Sequence, residues 1–143
     1  MTASHDGPAR PLPVINEMNR HFWQGGADGR LQILHCQDCG TWIHPYAGLC
    51  PRCRSASLRP DPVSGRGTVV GFTVNHQPWF PHVPVPYVIA LVELEEQADI
   101  RLVTNLPTVP IDAVRIGLPV EVYFEQQQDV HIPLFRPVGG GDA

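Results

Sequence analysis

Four cysteines fall in two close pairs, Cys36-Gln37-Asp38-Cys39 and Cys50-Pro51-Arg52-Cys53, separated by the ten residues from Gly40 to Leu49. A two-residue spacer lets both thiolates of a pair, with the backbone N–H groups of the turn, face one ion, and two such knuckles complete a tetrahedron. Gly40 suits the positive-φ position that closes the first knuckle, and Pro51 fixes φ at the start of the second. Cys36, Cys39, Cys50 and Cys53 are therefore the expected ligands of one ion, read as structural zinc. Four thiolates leave no open coordination position, so such an ion neither binds substrate nor activates water. The same knuckles also suit the iron of a one-electron carrier, because sulfur ligands alone do not choose between the metals. A redox dithiol needs a thioredoxin-like βαβ context, for which the sequence offers no pattern. His35 and His44 flank the knuckles and are read as surface or supporting histidines, since four cysteines suffice.

These residues must be positioned by a chain of 143 residues, enough for one ordinary domain or two very small ones. Hydrophobic residues make up 43%, enough for a core, while 16 prolines and 13 glycines make one residue in five a helix breaker. That composition argues against a helical bundle and for short strands joined by turns. Formal charge is −4, with ten arginines and no lysine, so the chain as a whole has no attraction for a polyanion. The opening residues Met1 to Gly7 show no basic stretch leading into an apolar one, and the aliphatic run Val88–Val92 is too short to cross a bilayer. A soluble, cytoplasmic protein without membrane contact is the expectation.

Along the chain, residues 1–14 read as a flexible arm and 15–28 as a helix, with Asn16 as N-cap and Gly25-Gly26 as its stop. Phe22 and Trp23 on that helix pack either against the protein's own ribbon or as anchors on a partner subunit. Residues 29–58 read as the metal ribbon, too small for a sufficient apolar core without its ion, and 59–66 as a stiff connector. From residue 67 the pattern turns to strands. Val70, Phe72 and Val74 alternate on one face, Tyr87 to Leu94 is a nearly continuous apolar run, and Ile100 to Leu106 follows. A helical turn at Pro110–Arg115 precedes two more strands, Pro119–Glu125 and Val130–Phe135. Five strands interrupted after the third by a small helix match the partly open, five-stranded Greek-key barrel of the OB-fold over residues 67–137, leaving 138–143 as a disordered tail. The fold class is mainly β: N-terminal helix, rubredoxin-like zinc ribbon and C-terminal OB-fold barrel.

The order of blocks carries a resemblance. A four-cysteine ribbon preceded by a Phe-Trp helix is followed by Ser64-Gly65-Arg66-Gly67-Thr68-Val69 and Pro86-Tyr87-Val88-Ile89-Ala90-Leu91-Val92-Glu93-Leu94. Leu102-Val103-Thr104-Asn105-Leu106, Val114-Arg115-Ile116-Gly117-Leu118-Pro119 and Pro133-Leu134-Phe135-Arg136-Pro137 complete it. Over about residues 15–137 the chain resembles the zinc-ribbon/OB-fold proteins associated with thiolase-like enzymes. The resemblance implies a small partner subunit, in a hetero-oligomer, of a thiolase-fold enzyme that makes or breaks carbon–carbon bonds in acyl-CoA thioesters. It also implies that the OB-fold reaches the acyl-CoA site.

Catalysis by the chain itself is not expected, because thiolase-type chemistry needs a nucleophilic thiolate and every cysteine here is committed to metal. His76 and His82 flank Trp79 and Phe80 in the long loop between the first two barrel strands, a place where OB-folds commonly bind ligands. That loop is read as entering or covering the partner's acyl-CoA channel; the competing reading is a hydrophobic plug for the chain's own barrel. Arg66, Arg101 and Arg115 are candidate contacts for the phosphates of CoA, since guanidinium binds phosphate bidentately. A single-stranded nucleic-acid binder and a rubredoxin-like electron carrier are the alternatives. The absence of lysine and the scatter of the arginines count against the first.

Overall fold

The protein was described from a computed structural model, covering residues 10–139. Residues 1–9 of the expected arm and 140–143 of the expected tail lie outside the described residues. Strand β1 (Leu31–Cys36) organises the N-terminal half because its two faces serve different cores. Leu31 and Ile33 point into the main hydrophobic core, whereas Leu34 and Cys36 join Ile43 and Cys50 in a second cluster around the knuckles. β1 pairs antiparallel with β2 (Trp42–Ile43) on one side and β3 (Leu58–Val63) on the other. β3 corrects an expectation. The segment Arg59-Pro60-Asp61-Pro62, read as a connector, is an edge strand in full register with β1, from Leu31 opposite Val63 to Cys36 opposite Leu58. An edge strand needs only alternate N–H donors, so prolines at every second position are tolerated there.

The helix expected over residues 15–28 is regular over only part of that span. Asn16 does cap the first turn, its side-chain oxygen accepting from the N–H groups of Met18 and Asn19. The α-helix proper, α1, runs only from Arg20 to Gln24. Gly25-Gly26 does not stop the chain's coiling but tightens it into a 3-10 turn over Gly25–Asp28, which Gly29 ends at φ +71°. Gly26 is required for contact: a Cβ there would lie 2.5 Å from the Phe124 ring and 2.7 Å from the Cβ of His131. The helix is thereby held against the C-terminal sheet.

That sheet contains β4 (Arg66–Asn75), β5 (Tyr87–Leu94), β6 (Arg101–Asn105), β7 (Pro119–Gln127) and β8 (Val130–Pro137), all antiparallel, in the order β6-β5-β4-β7-β8. A 3-10 turn at Ile111–Ala113 stands where the helical turn was expected. Among the described residues no ladder joins the outer strands β6 and β8; the Thr104 hydroxyl donates to the Pro133 carbonyl at 3.0 Å across the seam. The five strands thus curl into a partly open structure. A register shift between Val69 and Gly71 also changes which residue of β4 joins the inward face. Val69 is fully buried opposite Val92, and beyond the bulge Phe72 and Val74 lie opposite Ala90 and Val88, so the extra residue puts Val69 in place of the expected Val70 on the face of Phe72 and Val74; Val74 packs on the core, and Phe72 stays 40% exposed. β5 buries Val88, Ala90, Val92 and Leu94, while its other face is only half-covered.

Ribbon and sheet share one core in which Leu31 and Ile33 pack with Val69, Val92, Leu102 and Phe135. A polar pin adds to it. Gln97, between β5 and β6, accepts from the Trp42 N–H at 2.8 Å and donates to the Trp42 carbonyl at 3.0 Å, as a strand neighbour would. Gln97→Leu keeps the volume but leaves two partly buried backbone groups unpaired, so chemical denaturation should show a loss of about 2 kcal/mol. No helix of the described residues is long and apolar enough to cross a membrane.

Candidate functional site

The two knuckles repeat the same hydrogen bonds. Cys36 N–H donates to the Thr41 carbonyl and Cys50 N–H to the Ser55 carbonyl, at 2.8 and 2.9 Å. Gly40 N–H returns to Cys36 O and Arg54 N–H to Cys50 O, at 3.0 and 2.9 Å. Both turns close through a positive φ, at Gly40 (+81°) as expected and at Arg54 (+67°), where no glycine marks the position. Ser55 Oγ donates to Asp38 Oδ2 and so ties one knuckle to the other.

This scaffold brings Cys36, Cys39, Cys50 and Cys53 together, with all four sulfurs within 4.8 Å of one another. The Cys36–Cys53 and Cys39–Cys50 sulfurs are 3.6 Å apart. A tetrahedron with zinc–sulfur bonds of about 2.3 Å has edges of about 3.8 Å, so the donor set fits one zinc ion. Backbone N–H groups support negative sulfur. Those of Cys53 and then Arg52 pull the Cys50 thiol down to about 6 against the opposing effect of burial. At Cys53 the Ser55 N–H lowers the pKa, yet burial and the three facing sulfurs carry the thiol up to about 12. Four thiolates at this spacing therefore need a cation between them. Held by four sulfurs, the ion is structural, and its place is to fasten β1, β2 and the two knuckles.

The flanking histidines are more deeply engaged than surface histidines. His35 stacks on Trp42, directly opposite it in the β1–β2 register, with ring centroids 3.7 Å apart. Its Nδ1 faces Asp61 Oδ2 at 2.8 Å and its Nε2 faces Gly40 O at 3.2 Å. This bond is also the first cause of the lowered Asp61 pKa. His44 packs on Phe22, 4.8 Å between centroids, and burial first, then the nearby His21, hold its pKa down to about 4. Unfolded His44 titrates near 6.5. Between that value and 4 the unfolded chain takes up a proton that the folded chain refuses, so stability falls as pH falls. The unfolding free energy from urea titrations should drop by on the order of 2 kcal/mol between pH 7 and pH 4, and His44→Phe should flatten that slope. Pairing was invisible in the sequence for both residues because it depends on strand register and helix docking.

The second feature is a cavity of about 530 Å³ over the half-covered face of β5 and the β6–β8 seam. Phe22 and Trp23, in edge-to-face contact at 4.8 Å, line it, as does Phe80 from the loop between β4 and β5. Phe22 also packs on the protein's own core, so the helix at least serves the intramolecular role. Trp79 is 67% exposed, its indole N–H donating to Asn75 Oδ1 at 3.1 Å, and it plugs nothing. His76 and His82 are exposed on the same loop.

Arg66, Arg101 and Arg115 do not line this cavity. Arg101 lies 3.2 Å from Glu93, its partner in the β5–β6 register. The arginine at the cavity is Arg10, from the segment read as a flexible arm. Its guanidinium meets Glu125 at 3.1 Å and Asn105 at 2.6 Å, and its N–H donates to Gln127 Oε1 at 3.3 Å. Nothing in the proline-rich opening sequence signals that anchor.

Residues 23–59 match the family model of the ChsH2 rubredoxin-like zinc ribbon domain, and residues 61–125 that of the ChsH2 C-terminal OB-fold domain. A Thermomonospora curvata protein named "Probable enoyl-CoA hydratase alpha subunit" is 39% identical over 129 residues, 90% of this chain and 40% of that protein. The 3-oxo-4,17-pregnadiene-20-carboxyl-CoA hydratase alpha subunit of Mycobacterium tuberculosis is 33% identical over 92% of this chain and 42% of its own length. This chain thus spans about two fifths of the length of these two relatives. A DUF35 domain-containing scaffold protein of Methanothermobacter thermautotrophicus is 32% identical over 66% of this chain and 71% of that protein. Among solved structures, a chain of the Ltp2-ChsH2(DUF35) aldolase superposes with a TM-score of 0.81 at 36% identity, covering 90% of this chain and 100% of that one.

Proposed function

This chain belongs to the ChsH2-type family of rubredoxin-like zinc ribbon and OB-fold proteins, and from that we infer that it is a partner subunit in acyl-CoA metabolism. Its role is to complete the acyl-CoA site of a thiolase-like enzyme that makes or cleaves a carbon–carbon bond, without itself attacking the thioester. The observation that carries this reading is the division of the chain's chemistry. All four cysteines converge on one ion, while Trp79 and Phe80 stand exposed on a loop beside an apolar cavity. Aromatic side chains presented in this way are the residues that anchor interfaces. His76 and His82 flank them, within reach of whatever the loop meets. Arg66, at the start of β4, and Arg115, in the loop before β7, are exposed, suited to an anionic headgroup carried by the partner.

Nucleic-acid binding finds no support. Arg10, Arg59, Arg101 and Arg136 each lie against a carboxylate, and with no lysine in the chain and a net charge of −4 this leaves few cations to track a backbone. A second reading, favoured by the two hydratase alpha subunits, is that the partner hydrates an enoyl-CoA. Reconstitution separates these readings. The purified, zinc-replete chain is mixed with a thiolase-like protein encoded beside it and assayed with acyl-CoA substrates. Turnover only in the mixture supports the proposal, water addition to an enoyl-CoA supports the second reading, and turnover by the chain unaided overturns both.

A further inference from the structure

We propose that the 530 Å³ cavity seats the neutral, apolar acyl end of the thioester, while the charged nucleotide end of CoA stays outside it. The inference rests on the reading of the chain as an acyl-CoA-contacting subunit and names which part of the ligand this chain receives. Its size falls within the range of small-molecule sites, roughly 300–1,000 Å³. Its walls are apolar: Phe22, Trp23, Phe80, Ile89, Val103 and Ile132 contribute from the helix, the loop and three strands. Val103 is 74% exposed and Phe80 47% exposed, so apolar surface faces solvent until something covers it.

Charge excludes the other end of the ligand. Arg10 is the one charged residue in the lining, and Glu125 neutralises it at 3.1 Å, with both side chains only 14% exposed. Asn105 takes a further donor of the same guanidinium. A phosphate entering here would meet no unpaired cation and would lose its hydration. A neutral acyl group loses nothing and gains the burial of the walls. Access is also restricted on one side. Arg10 pins the start of a segment whose Pro11 and Pro13 form part of the rim, and α1 pins its other end through Gln24, which donates to the Asp129 carbonyl at 3.2 Å.

The test uses the full zinc-loaded chain and the neutral fluorophore N-phenyl-1-naphthylamine. Its fluorescence should rise on binding, and decanol and decanoyl-CoA should displace it at concentrations where coenzyme A does not. Ile89→Phe, which fills the cavity, and Val103→Asp, which puts a charge at an exposed wall position, should each weaken probe binding at least tenfold. Val103→Asp changes no core residue, so it reads the site even if Ile89→Phe folds poorly. Failure of the probe to bind, parental affinity in Val103→Asp, or displacement by coenzyme A as effective as by decanoyl-CoA overturns the proposal. Co-purification with the thiolase-like partner is scored separately. Its loss with probe binding intact refutes the functional reading and leaves the cavity assignment standing.

Discussion

Replacing Cys50 by serine abolishes stoichiometric zinc and unfolds the ribbon, and chelation of the parent protein does the same. Cys50 is buried, and its sulfur accepts the N–H groups of Arg52 and Cys53. Its loss therefore removes a ligand and strands two donors. Structural zinc contributes about 10–16 kcal/mol of apparent binding free energy in small ribbons, more than the net stability of most domains. The second cluster, Leu34, Cys36, Ile43 and Cys50 with the partly buried Ala47 and Leu58, is too small to replace it. The damage spreads, because β1 also sends Leu31 and Ile33 into the core of the five-stranded sheet. Zinc per chain, measured by atomic absorption beside thermal denaturation, checks the result. A Cys50→Ser protein holding one zinc and melting like its parent would show that the ion does not fasten the fold.

Replacing Trp79 and Phe80 together by alanine lowers kcat/KM of the reconstituted complex by about two orders of magnitude, roughly 3 kcal/mol of lost interaction. Zinc content and melting temperature of the isolated chain stay near those of the parent, since both residues are exposed and belong to neither hydrophobic cluster. That contrast is the diagnostic part. A core aromatic costs stability on truncation, whereas an aromatic offered to a partner costs assembly or turnover. Unchanged turnover in the double variant removes the loop from the mechanism.

Much of the site was legible because its signals are local. Two Cys-x-x-Cys turns dictate their own closure, and Gly40 announces the positive φ that the first one uses. Arg54 occupies the equivalent place in the second without any such mark, since the ion and the repeated hydrogen bonds impose the conformation on an ordinary residue. The strands of the C-terminal sheet were visible in their apolar runs and punctuation, but the facing of β4 was not. A bulge between Val69 and Gly71 changes no residue type, yet it puts Val69 in place of Val70 on the face shared with Phe72 and Val74. The prolines of β3 misled in the same way: Pro disfavours strands on average, and only an edge position beside β1 makes it acceptable.

The sequence by itself determined the metal centre, the mainly β character and the lack of any thiol left over for catalysis, because each follows from residue types at short spacing. Only the tertiary structure decided where the apolar cavity lies, that Arg10 is spent on Glu125 and Asn105, and that His35 stacks on Trp42. Those facts depend on contacts between segments 7 to more than 100 residues apart. Spacing along a chain constrains what neighbours can do together; it carries no information on which distant surface will neutralise a charge or leave an aromatic ring uncovered.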